Sequence, residues 1–283
     1  MSAPVKQSPA EPALTEPERH GTTLPSFLDD LYSRYNHPSW IYPDPLTIVL
    51  EYPEPADMET AGIICSALAL GTVKAIMSAC HTVLGELGPH PATGLASLSD
   101  SDLVELLAGF RYRFFGPSDL AFFLGGIRRV RESYGSLEGA FLSVMDPGEP
   151  DYAGAASRFV RLLATASPGA WRSNLFPDPE CGSAAKRVFL YLRWMVRRDA
   201  VDPGPWTRVP PAGLVIPLDT HMAAACRCLG LLGRTQTDLR AAREATAAFR
   251  AILPEDPVRY DFCMTRPGIH PDLDPAACFD LNP

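Results

Sequence analysis

From Leu24 onward, apolar residues recur at helical spacing along almost the whole chain and rarely in strict alternation. Val73, Ile76, Met77, Cys80 and Leu84 form one stripe, and Leu103, Leu106, Leu107 and Phe110 a second. Leu120, Phe123, Leu124, Ile127, Val130 and Tyr134 form a third, and Phe159, Leu162 and Leu163 a fourth. Leu239, Ala242, Thr246, Phe249 and Leu253 trace one more, with Thr237 in the N-cap position. A period near 3.6 places each set on one helix face. The best strand signal, LVI at 214–216, is too short to carry weight. The chain has 29 prolines, which would break helices from within, but they gather between the stripes and so mark helix ends. This pattern predicts an all-α globule of about nine or more helices in one domain, residues 25–283. The polar, proline-bearing segment 1–24 has no periodicity and reads as a disordered tail.

Composition excludes several functions. A net charge of −8 rules out a large polybasic surface, leaving only a local basic patch for any nucleic acid. No apolar run nears the roughly 20 residues that span a bilayer, and the start lacks the apolar core of a signal peptide. A cytoplasmic monomer without membrane contact is the expectation. The seven cysteines are scattered; Cys226 and Cys228 lie two apart with no second close pair, so reduced thiols are expected, with no metal and no cofactor.

One helix is unusual. In SAAKRVFLYLRWMVRRD (183–199), Ser183 is a natural N-cap, which places Lys186 in the first turn. With about 100° per residue and Lys186 at zero, Phe189, Val196, Leu192, Val188, Met195 and Tyr191 fill an apolar arc from about 300° to about 140°. Arg193 and Arg197 fall within about 20° of Lys186, Arg187 and Arg198 near 100–120°, and Trp194 near 80°. A lysine in a first turn meets the positive end of the helix dipole and neighbouring cations, which favour the neutral, nucleophilic amine. The plainer reading is a solvated face salt-bridged to acidic residues; the density of cations makes a phosphate-facing surface its equal.

In IPLDTHMAAACRCLGL (216–231), Asp219 and Thr220 both suit a helix cap, and His221 follows too closely to share a metal with Asp219. Elsewhere FRYRF (110–114) interleaves Arg111 and Arg113 with aromatics, and GGIRRVRESYG adds Arg128, Arg129 and Arg131 behind Gly125 and Gly126. These read first as solvated helix faces, and second as phosphate contacts that the glycines let the backbone approach.

LDTHMAAACRCLGL resembles the aspartate motif of the helix-hairpin-helix DNA glycosylase superfamily, through Leu218, Asp219, Thr220, His221, Arg227, Leu229, Gly230 and Leu231. The segments FLDDLYSRYNHP, YPEPADMETAGIICSALALGTVKAI, FRYRF, LRWMVRRDAVDPGPW, IPLDTH and PEDPVRYDFCM also resemble an uncharacterised bacterial family placed near that superfamily, across about residues 27–269. Two superfamily features are missing. The glycine-rich hairpin is absent, with Val201 standing where endonuclease-III-like enzymes have their lysine. Of the four cysteines that bind an iron–sulfur cluster in that branch, only Cys263 and Cys278 have counterparts, so no cluster is expected. The spacing is closest to the archaeal 8-oxoguanine DNA glycosylases, in which the lysine lies a little over thirty residues upstream; here Lys186 precedes Asp219 by 33.

That resemblance implies a helix-hairpin-helix glycosylase-like bundle that removes a damaged base such as 8-oxoguanine from DNA, or acts on RNA. It implies Lys186 as Schiff-base nucleophile and Asp219 as its carboxylate. Arg187, Arg193, Arg197, Arg198, His221, Arg111 and Arg113 would then contact nucleic acid, and Trp194 and Trp206 would line a base pocket, although core packing suits either tryptophan as well. The alternative is a non-catalytic nucleic-acid-binding or protein-interaction member of the same fold.

Overall fold

A computed structural model describes residues 23–270 and Leu273. Most of the expected disordered tail therefore lies outside the described residues, and only Thr23 and Leu24, at the start of the first helix, fall within them. Among the described residues there are thirteen α-helices and no strand. They are α1 (Leu24–Tyr35), α2 (Leu46–Val49), α3 (Pro55–Leu68), α4 (Val73–Leu87), α5 (Pro91–Ser97), α6 (Asp100–Leu106), α7 (Pro117–Tyr134), α8 (Leu137–Ser143), α9 (Ala153–Ala166), α10 (Lys186–Val196), α11 (Thr220–Cys228), α12 (Leu239–Ile252) and α13 (Asp261–Ile269). The apolar stripes of the sequence fall on these helices, except that Leu107 and Phe110 lie past the end of α6 and Leu253 past that of α12. Residues 214–216 are buried but belong to no strand.

Prolines open α1, α3, α5 and α7 within their first two positions, where the missing N–H has no intrahelical partner to lose. Pro267, inside α13, is an exception to the expected punctuation. The cap of α12 is Asp238, accepting from the Ala241 N–H at 2.8 Å, and not Thr237.

Helix α3 is buried nearly all round and forms the axis of the fold, with α10 packed along it. Its two carboxylates fix neighbouring helices by their N-termini. Asp57 accepts from the Ala92 N–H of α5 at 2.8 Å, and Glu59 from the Leu137 and Glu138 N–H groups of α8 at 3.2 and 2.9 Å. Each satisfies donors that a helix end leaves free and adds a favourable charge at the dipole's positive end.

Gly125 and Gly126 do not form a phosphate-binding turn. Both are buried within α7, and a Cβ on Gly126 would stand 2.5 Å from the Leu163 carbonyl oxygen of α9. The missing side chain lets the two helix backbones approach. Arg128 and Arg129 behind them pair with Asp100, and Arg131 donates to the Ala92 carbonyl at 3.2 Å. Gly126→Ala should therefore push α7 and α9 apart and lower unfolding free energy by about 1–3 kcal/mol, read by denaturant titration.

Candidate functional site

Lys186 is the first residue of α10 and so in the expected first turn, but Ser183 is not its cap. The capping position is held by Ala185 in a left-handed conformation (φ 44°), whose N–H donates to Ser183 Oγ at 3.2 Å. An L-residue there carries local strain, on the order of 1–2 kcal/mol. Asp219 caps α11: its Oδ1 accepts from the Met222 N–H at 2.8 Å. Its other oxygen, Oδ2, lies 2.7 Å from Lys186 Nζ. One carboxylate thus does both jobs, ending a helix and holding the lysine.

The pair stands in the wall of a cleft of about 510 Å³, within the size range of small-ligand sites. Lys186 keeps about a third of its side chain exposed and Asp219 less. His221 also lines the cleft and is exposed; a Cβ on Gly268 of α13 would meet its Nδ1 at 2.8 Å. Other lining residues come from far away in sequence: Asp44, Gly71, Asp261 and Arg266. Sequence reading missed Asp261 and Arg266, because an acid opening a helix and an arginine within it are ordinary helix composition.

Two carboxyls of this cleft are pushed in opposite directions. Burial raises Asp219, but the Lys186 charge, its hydrogen bond and the Met222 N–H more than reverse this and hold the group below its ordinary 3.8. For Asp261 burial prevails over the attraction of Arg193, and the group is held above its ordinary value.

The expected basic face of α10 is not a surface, which corrects the placement of most of its cations. Arg193 is buried and grips Asp202 through Nε (3.1 Å) and Nη2 (2.8 Å), while Nη1 donates to Asp261 Oδ2. It reaches the cleft only as part of this pairing. Arg197 is buried between Asp202, Asp199 and Asp256, the last two at 2.8 and 2.9 Å. Arg187 is buried too, donating to the carbonyls of Ala67 (3.1 Å) and Asn174, and burial lowers its pKa to about 10. Of the four arginines on that helix and its end, only Arg198 is exposed. The wheel failed because it equates a charged sector with solvent. The partners of Arg193 and Arg197 arrive from the loop after the helix and from two later segments, and those of Arg187 from earlier chain.

Both tryptophans are core residues rather than walls of an open pocket. Trp194 is fully buried, and Trp206 donates from Nε1 to Glu59 Oε1 at 2.6 Å while packing edge-on against Tyr191. Exposed aromatics do occur near the cleft, at Phe114 (60% exposed) and Tyr42 (69%). Tyr42 precedes the cleft-lining Pro43, and FRYRF is fastened to the cleft by the Tyr112 hydroxyl, which donates to the Leu70 carbonyl at 2.7 Å. Arg111 and Arg113 are both exposed, with the Arg113 guanidinium over the Phe114 ring and its Cδ close to Gly71.

The fold and site define an all-helical protein with a lysine–carboxylate pair set in a ligand-sized cleft. The chain belongs to the family described as a protein of unknown function (DUF2400), which matches residues 44–270. No curated protein and no solved structure matches it. No helix among the described residues is long and apolar enough to cross a membrane.

Two measurements test this geometry. Asp202→Ala leaves two buried guanidinium groups short of a partner and should reduce stability by about 3–5 kcal/mol in denaturant titration. Because the folded-state value of Asp219 is depressed, its stabilisation is fully present above pH 3.8 and disappears as pH falls through the folded value. Asp219→Asn should lower the melting temperature at neutral pH, and the gap to wild type should close in strong acid.

Proposed function

We propose that this protein is a base-excision DNA glycosylase with lyase activity, using Lys186 as nucleophile and Asp219 as proton acceptor. One observation carries the reading: Lys186 Nζ and Asp219 Oδ2 lie 2.7 Å apart in the wall of an open cleft. That is within reach for direct proton transfer, the first requirement for an ammonium that must become an amine. The resemblance of LDTHMAAACRCLGL to the glycosylase aspartate motif, and the spacing of the lysine before it, support the same assignment. On this reading the helices form a helix-hairpin-helix glycosylase-like bundle, and 8-oxoguanine is the base to test first.

In the reaction an extruded nucleotide enters the cleft. The Lys186 proton passes to Asp219, the Nζ–C1′ bond forms, and the C1′–N bond breaks with its electron pair leaving on the base. The sugar ring opens to a Schiff base, and β-elimination then breaks the C3′–O bond. The proton that Asp219 holds goes to the sugar's ring oxygen as the ring opens.

Nucleic-acid contacts fall to the exposed groups, Arg111, Arg113, Arg198 and His221, with Phe114 and Tyr42 as stacking surfaces in place of the tryptophans. With two or three phosphates neutralised, log K against log salt should have a shallow slope of roughly −2 to −3. The inward-facing arginines and the acidic net charge favour, as the second reading, a weakly binding, non-catalytic member of the same fold.

Borohydride trapping on duplexes with an abasic site or 8-oxoguanine separates the two. A covalent adduct is expected from wild type, absent in Lys186→Gln and strongly reduced in Asp219→Asn. A folded wild-type protein that gives no adduct on either duplex overturns the lysine mechanism and leaves the binding reading.

A further inference from the structure

Asp261 lines the same cleft as Lys186 and Asp219, yet the reaction above gives it nothing to do. It is the first residue of α13 and only 3% exposed. Its Oδ2 accepts from Arg193 Nη1, whereas its Oδ1 is buried with no hydrogen-bond partner among the described residues. A carboxylate oxygen in that state bears an uncompensated desolvation penalty.

The surrounding charges do not relieve it. Arg193 is already matched by Asp202, and Arg197, which shares Asp202, is matched again by Asp199 and Asp256. The groups facing Asp261 are Arg193 and Lys186 from α10, Asp219 and Cys226 from α11 and its cap, and Cys263 and Arg266 on its own helix. Carboxyls outnumber guanidinium groups in this network, and burial shifts Asp261 toward its neutral form. A neutral carboxyl accepting from Arg193 through Oδ2 carries its proton on Oδ1, the atom that the protein leaves without an acceptor.

We propose that Asp261 is the general acid of the cleft, donating from Oδ1 to a ring nitrogen or carbonyl oxygen of the bound nucleobase and protonating the base as it departs. This rests on the lysine-glycosylase reading and narrows its substrate to bases that leave poorly as anions. The step balances: Nζ–C1′ forms, C1′–N breaks, the base takes the electron pair and the Asp261 proton, and the lysine proton goes to Asp219. The new Asp261 carboxylate stays hydrogen-bonded to Arg193, which offsets its charge. Two carboxyls whose environments drive them apart thus divide acid and base work.

The test compares base excision with trapping on an abasic duplex, which has no base to protonate, under single turnover. Asp261→Asn keeps an acceptor for Arg193 but has no acidic proton. It should lose about a hundredfold or more in excision while trapping the abasic duplex at the wild-type rate. In wild type, excision should fall as pH rises through the elevated Asp261 value, while abasic trapping does not fall. Wild-type excision by Asp261→Asn overturns the proposal, as does a wild-type excision rate with no alkaline decline. If Asp261→Asn loses both activities the cleft has collapsed, and the wild-type pH profile decides alone. Failure of wild type to trap the abasic duplex is a separate outcome, which overturns the lysine reading itself and this assignment with it.

Discussion

Asp202, almost wholly buried, is held by two guanidinium groups at once, and much of the structure around the cleft depends on that arrangement. It fixes the end of α10 to the loop that follows. That loop returns against the helix, with Gly204 N–H donating to the Trp194 carbonyl at 3.1 Å and Trp206 N–H to the Met195 carbonyl at 2.8 Å. Gly204 is required there: its φ is +51°, and a Cβ would stand 2.5 Å from the Arg197 carbonyl oxygen. Through Arg193 the same network reaches α13, through Arg197 it reaches Asp256, and through Asp199 it reaches the Tyr32 hydroxyl of α1 at 3.0 Å. Such buried ion pairs rarely add stability over an apolar core of the same shape. What they add here is position, since each guanidinium ties α10 to more than one partner.

This network also separates what could be read in the sequence from what could not. The helices were legible because burying one face imposes a period, and that period survives in the order of residues. Asp219 and Lys186 were legible because a cap and a first turn are local features. Their contact follows from spacing only by resemblance, since 33 residues of intervening chain could have placed them anywhere. The inward turn of Arg193 and Arg197 was not legible at all. A helical wheel records which residues share a sector, and whether solvent or protein meets that sector is decided by Asp202, Asp256 and Asp261, none of them on the helix. Trp194 and Trp206 illustrate the same limit, for an aromatic beside cations suits an open surface and a closed core equally well.

The cleft draws on both ends of the described chain. Pro43, Asp44 and Pro45 come from the segment after α1, Lys186 and Asp219 from the middle, and Asp261 and Arg266 from α13, which packs against α1. Arg266 links the extremes directly, bonding Asp44 at 3.0 Å and the carbonyls of Trp40 and Ile41 at 3.1 and 3.2 Å. During synthesis from the N-terminus, therefore, the lysine emerges well before the wall that shapes its surroundings. A nascent chain that has released α10 and α11 but not α13 lacks the part of the cleft lining that Asp261 and Arg266 supply. The complete cleft therefore forms only after residue 269 has emerged, however early the rest of its lining is made.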